Sequence, residues 1–314
     1  MQSGAIRSTA LKLLERRPNA IVRHRLLRDV LHLPPDDPQR VAARQDMRSH
    51  RWVAELADAQ AQDGSWGRFH SMDSSRKTHF PTSEAAIFRA LALGLDREDP
   101  LLGKAAGYIA GVLAGRQAWS DRVERSEGWP LGVEAISAGM LAAIDPQHPA
   151  LDTPRNYWIG IAAASLQTGA YDPRAEWDAH RARRGRGILY LRSRYVLSLL
   201  GSRPDLPPGL SQQILDWLWN EPQGIGYLGA DLRHPDPGHI FQWIESLEIL
   251  THFAGWQERA GEGLAWLETR RGPDGLWDLG SKVSRSVYFP LSDDWRKPGN
   301  RAIDHTTRLL GLLA

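Results

Sequence analysis

Three glutamates, Glu84, Glu134 and Glu245, stand within otherwise apolar stretches of this 314-residue chain. A carboxyl in apolar surroundings resists ionisation, so its pKa rises and it can act as a general acid. The same side chains could instead bond helix N-terminal amides or face Arg23, Arg192 or Arg194. Aromatic residues form a second set: Phe80, Trp129, Tyr157, Trp158, Tyr190, Phe241 and Trp243. Ring faces stabilise developing positive charge, and they also serve as ordinary core packing. Asp236, His239 and His305, with His234 and Asp304 nearby in sequence, are donor types suited to zinc, manganese or iron. The alternative is a helix cap and two core histidines. Arg23, Arg25, Arg76, Lys77, Arg192 and Arg194 could grip a diphosphate or lie in solvent.

Composition narrows the field. The formal charge is +2 with acidic and basic residues scattered, which gives no electrostatic footprint for nucleic acid. The absence of cysteine excludes disulfides, thiolate metal sites and a cysteine nucleophile. No 18-residue apolar run suits a membrane span, and Met1 to Arg17 lacks the apolar core of a signal peptide, so a soluble cytoplasmic protein is expected. No Ser-His-Asp arrangement or phosphate-cradling glycine loop is present.

The elements that must position these groups are helical. Apolar residues recur with a 3.6 period over Leu11 to Arg16, Ile21 to Leu33, Val41 to Gln62, Ser83 to Leu95, Leu101 to Arg116 and Val133 to Ile144. The pattern resumes over Tyr157 to Thr168, Ile188 to Leu200, Ser211 to Asn220, Ile240 to Phe253, Gly261 to Arg271 and Ile303 to Leu313. Strand-like alternation is nearly absent, and the expected fold class is all-α. With no linker-like segment, residues 1–314 read as one domain.

Short turns joining a polar residue, glycine and an aromatic recur between these helices. They read Asp63-Gly64-Ser65-Trp66-Gly67, Glu127-Gly128-Trp129-Pro130, Gln223-Gly224-Ile225-Gly226-Tyr227 and Asp274-Gly275-Leu276-Trp277. Tyr171-Asp172-Pro173, with Trp177, reads as a degenerate member. The glycine permits positive φ in a tight reversal, and the aromatic can fold back over the preceding helix end. The spacing amounts to one helical hairpin per unit.

These turns resemble the glutamine-tryptophan repeats of squalene-hopene cyclases and their relatives. Leu56, Gln60, Gly64 and Trp66 match that pattern fully, and Trp266, Leu267, Gly275 and Trp277 match with Arg271 in the glutamine's place. The resemblance implies an α/α toroid, a double ring of helices around a central apolar cavity. The segment Trp295-Arg296-Lys297-Pro298-Gly299-Asn300, followed by Asp304-His305-Thr306, is similar to the end of protein prenyltransferase β subunits. There the histidine binds zinc, and an Asp-x-Cys motif supplies further ligands. Asp236-Pro237-Gly238-His239 lies at a comparable place without the cysteine, so the resemblance implies a divalent-metal set of Asp236, His239 and His305 unfit for activating a thiol.

The Asp-x-Asp-Asp acid of class II cyclases and an Asp-Asp-x-x-Asp diphosphate motif are both missing; Asp293-Asp294 is only a pair. What remains is a scaffold that implies an apolar, isoprenoid-derived small-molecule partner. Glu84, Glu134 and Glu245 are the candidate acids for cyclisation or isomerisation. Phe80, Trp129, Tyr157, Tyr190, Arg192, Phe241 and Trp243 are the candidate substrate contacts. The rival expectation is a non-catalytic toroid that binds or docks.

Overall fold

A computed structural model describes residues 3–71, 80–122, 128–183, 189–203, 205–282 and 289–314. Arg76, Lys77 and Glu127 lie outside the described residues. Among the described residues there are fourteen α-helices, one π-helical turn and two short 3-10 turns, with two isolated β-bridges and no strand. The fold is all-α. No helix among the described residues is long and apolar enough to cross a membrane.

The helices are α1 (Ser3–Glu15), α2 (Ala20–Arg25), α3 (Pro38–Arg48), α4 (Arg51–Ala59), α5 (Ser83–Leu93), α6 (Pro100–Leu113) and α7 (Trp129–Ile144). They continue as α8 (Asp152–Ser165), α9 (Pro173–Arg183), α10 (Arg194–Gly201), α11 (Pro208–Asn220), α12 (Ile240–Leu250), α13 (Trp256–Glu268) and α14 (Pro298–Leu313). A π-helical turn, Leu26–Val30, prolongs α2. Local chemistry sets the ends. Thr82 caps α5 by accepting from the Ala85 N–H, and Gly94 closes it at φ +96°, a conformation that costs glycine little.

Two expectations need correction. The periodic stretch Val41 to Gln62 is two helices, because His50 turns extended and caps the second one through the Trp52 N–H. The Tyr171-Asp172-Pro173 segment is not a repeat turn. Asp172 accepts from the N–H groups of Arg174 and Ala175, and so caps α9, a helix that the apolar pattern did not reveal.

The two best-matched turns are built alike, bond for bond. The Trp66 indole N–H donates to the Leu56 carbonyl at 2.8 Å, and the Trp277 indole N–H donates to the Leu267 carbonyl at 2.9 Å. The Trp66 backbone N–H reaches Ser83 Oγ at 2.8 Å, and that of Trp277 reaches Thr306 Oγ1 at 2.9 Å. Gln60 donates to the Gly64 carbonyl at 3.0 Å; Arg271 donates to the Gly275 carbonyl at 2.8 Å. Each of these side chains then reaches on to another helix. Gln60 bonds the Leu101 carbonyl in α6, and Arg271 bonds Thr9 Oγ1 in α1.

Helix neighbours follow a regular order. α5 lies against α7, α7 against α10, α10 against α12, α12 against α14, and α14 against α2 with its π turn. α2 meets α5 through Arg25, which donates to the Ala92 carbonyl at 2.7 Å. Further neighbours are α3 on α2, α4 on α5, α6 on α7, α8 on α7 and α10, and α1 on α14. α13 meets α12 through the Trp266 and Trp243 rings, 5.6 Å apart.

Because Trp277 is fully buried with both N–H groups satisfied, Trp277→Ala should cost about 3–5 kcal/mol in urea denaturation. Arg271→Gln, which restores the glutamine of the matching turn, should cost far less than Arg271→Ala. Equal losses for the two Arg271 variants would contradict the equivalence of the turns.

Candidate functional site

α5, α7, α10, α12, α14 and α2 all give side chains to one cavity of about 480 Å³. Helical spacing explains much of the lining: Phe88, Leu91 and Ala92 share a face of α5, Arg194 and Ser198 a face of α10 that Ser202 just beyond it extends, and Glu245, Glu248 and Ile249 a face of α12 followed by His252 in the next turn. Ala142 and Ala143 of α7, Arg308 of α14, Arg25 of α2 and the loop residues Pro146, Phe289 and Leu291 complete it. The cavity is therefore amphipathic, with apolar rings and chains beside three guanidinium and two carboxyl groups.

The charges are paired. Arg308 holds Glu248 through two bonds of 2.8 Å, Arg194 holds Glu245, and Arg25 with Arg28 holds Asp29. The pairs differ in outcome. Burial alone would raise Glu248, yet the Arg308 charge and hydrogen bonds outweigh it and hold the carboxyl low. At Asp29 the two arginines overcome burial and bring the pKa to about 2. At Glu245 burial wins over Arg194 and Arg308, and the carboxyl is pushed up. Its Oε1 takes the Arg194 bond, while the buried Oε2 has no hydrogen-bond partner. The Arg194 guanidinium carbon lies over the Phe88 ring, 4.4 Å from its centroid.

Of the three glutamates singled out in the sequence, Glu245 alone lines this cavity. Glu84, the second residue of α5, instead accepts from Tyr195 Oη at 2.5 Å and meets His70 Nδ1 at 2.7 Å. Glu134 is half-buried in α7. None of the expected substrate contacts lines the cavity. Trp243 is fully buried and bonds the Leu232 carbonyl, Tyr157 bonds His180 in the α8–α9 contact, and Phe241 packs on the His305 ring. Trp158 is core, Trp129 packs on Trp119, and Phe80 is half-buried. Tyr190 is exposed, and Arg192 bonds Gln223 at the surface. Arg25 and Arg194 do line the cavity, whereas Arg23 pairs with Asp46 outside it.

The proposed metal ligands are not brought together. Asp236 caps a short 3-10 turn through the Gly238 N–H and pairs with the exposed His239 at 2.9 Å. His234 pairs with Asp231. The Asp304-His305-Thr306 run is spent on loop backbone: Asp304 accepts from the N–H groups of Leu291 and Ser292, His305 Nδ1 from Leu279, and Thr306 from Trp277. Among the described residues no group of three or more His, Asp or Glu side chains is placed to hold a metal ion.

Sequence reasoning missed Phe88, Glu248, Phe289 and Arg308. Glu248 and Arg308 are 60 residues apart and read singly as surface charges. The i, i+4 recurrence of polar residues on otherwise apolar α10 and α12 was the available signal. Comparison with protein-family models, curated proteins and solved structures yields no match.

His305 generates a pH prediction. Burial drives its pKa from 6.5 to about 3, so the folded protein keeps it neutral as the acceptor of the Leu279 N–H. The unfolded chain takes up this proton first as pH falls. The stabilising contribution is complete above about 6.5 and lost on the way down to about 3, roughly 2 kcal/mol by pH 5. His305→Gln should flatten the stability profile between pH 7 and 5 by that amount. An unchanged slope would show that His305 charges freely in the fold.

Proposed function

We propose that the helices form an α/α toroid whose central cavity takes a compact, largely apolar small molecule of isoprenoid type, with Glu245 as proton donor. Support for the ring comes from the neighbour order, in which α14 returns to α2 and α2 to α5. The two matched turns support it too. Gln60 ties its turn to the next outer helix, α6, and Arg271 ties the last turn to α1, as if α1 were next in line.

The observation that carries the functional reading is the buried Glu245 Oε2, unpartnered in a cavity of about 480 Å³, a volume within the usual range for ligand pockets. Burial favours the protonated form of Glu245 against the pull of Arg194 and Arg308, and that is the form a general acid needs. Phe88, Phe289, Leu91 and Ile249 supply apolar walls, and the Arg194 guanidinium offers an anchor for a polar head. Proton addition at an alkene carbon and proton loss from a neighbouring one isomerises the molecule with no oxidant or reductant. A second reading, a non-catalytic binding toroid, draws on the Arg194–Glu245 pair, which already gives one carboxyl oxygen a partner.

Geraniol and farnesol serve as probes, with thermal shift for binding and product analysis for isomerisation. Binding by the wild type is expected, with Glu245→Gln binding comparably and losing turnover about 10²–10⁴-fold. Binding without turnover in either protein would favour the non-catalytic toroid, and no binding would remove the cavity reading.

A further inference from the structure

Arg194 opens α10 in the cavity wall and is 8% exposed. One of its N–H groups donates to Glu245 Oε1, and the others make no hydrogen bond among the described residues. The Ser198 hydroxyl, one turn along the same face and also in the cavity wall, makes none either. Guanidinium N–H groups withdrawn from bulk water without acceptors are costly. An arginine fork with a hydroxyl four residues on forms a set of donors that suits a ligand group offering only acceptors.

The charges around the cavity are also unequal. Arg308 and Glu248 cancel through their two bonds. Arg25, in the cavity wall, shares Asp29 with Arg28, which sets two guanidiniums against one carboxylate. Arg194 has Glu245 alone, and there the balance depends on a proton. Once Glu245 is neutral, Arg194 has no carboxylate within ion-pair distance among the described residues. Burial is the largest influence on Glu245 and pushes its carboxyl up, against Arg194 and Arg308 and with Glu248 and Glu84.

We propose that the cavity takes an apolar molecule headed by a carboxylate, and that this head replaces Glu245 as the anionic partner of Arg194 while Glu245 takes up a proton from solvent. This rests on the cavity reading above and narrows its substrate class. The ligand carboxylate accepts from the free Arg194 N–H groups and from the Ser198 hydroxyl, and Phe88, Leu91, Ile249 and Phe289 wall the chain behind it. An alcohol fits less well, because its own O–H adds a donor to a site of donors. The exchange is balanced: one ionised carboxylate enters, one O–H bond forms on Glu245, and no bond of the ligand breaks. Ligand and stored proton thus arrive together, so the acid is loaded when the cavity is filled.

Isothermal titration calorimetry in buffers of different ionisation heat reads both affinity and proton uptake on the full chain. The probes are geranate, geraniol and methyl geranate, above about pH 6, where the ligand carboxyl is ionised. Geranate should bind about tenfold tighter than the two neutral probes. Its binding should take up a growing fraction of a proton as pH rises, with affinity falling in step. Glu245→Gln, which leaves Arg194 without an anionic partner at every pH, should bind geranate with no uptake and a pH-independent affinity. That variant also separates any contribution of His252, which shares the cavity wall. Arg194→Gln should lose the preference for geranate. If geranate binds no tighter than geraniol, binds wild type without proton uptake throughout the range, or keeps its preference in Arg194→Gln, the exchange fails while the cavity reading stands. If none of the three probes binds, the cavity reading itself falls.

Discussion

Every reversal between consecutive helices must satisfy the polar groups exposed where one helix stops and another starts. At residues 60–66 and 271–277 an indole solves the problem by facing two ways. Its ring N–H returns to a carbonyl of the helix just ended, and its backbone N–H is taken by a hydroxyl of the helix to come. The ring itself is buried, so the reversal also adds apolar area to the core. Helix direction and spacing are thereby fixed together, and the cavity-lining faces of α5 and α14 are aimed by the same contacts.

Aiming several helices at one centre creates a second constraint. Charged side chains on those faces are partly withdrawn from water and are paired, because an unpaired buried charge is costly. Arg308 with Glu248 and Arg25 with Asp29 meet the requirement with ionised carboxylates. Glu245 is the exception: it has an arginine on one oxygen only, and burial prevails. One fold thus holds carboxyls of opposite tendency, Glu248 depressed and Glu245 raised, within one helix turn of each other on α12.

The legible parts of the sequence were those whose physics is local. Gly64 and Gly275 at positive φ, their tryptophans, and Arg271 in the role of Gln60 could be read because the indole-to-carbonyl bonds and the Gln60 and Arg271 bonds to the turn glycines span ten residues or fewer. The all-helical class followed from periodicity. The site was less legible because its pairs join residues far apart, such as Arg194 to Glu245, Arg308 to Glu248 and Tyr195 to Glu84. Aromatic residues misled in particular: Trp243, Tyr157 and Phe241 pack or cap, while Phe88, inconspicuous in an alanine-rich stretch, lines the cavity. The Asp304-His305-Thr306 run kept the look of a metal motif while its donors hold loop backbone instead.

The proposed role of Glu245 requires a carboxyl whose pKa is raised by burial beside the cavity. Isotope-edited infrared difference spectroscopy between wild type and Glu245→Gln resolves this one carboxyl as pH is varied. A protonated C=O band that persists above the ordinary glutamate value, about 4.3, is the predicted result. A band that titrates at or below that range would show Glu245 to be an ordinary ion-pair partner of Arg194 and would contradict the account.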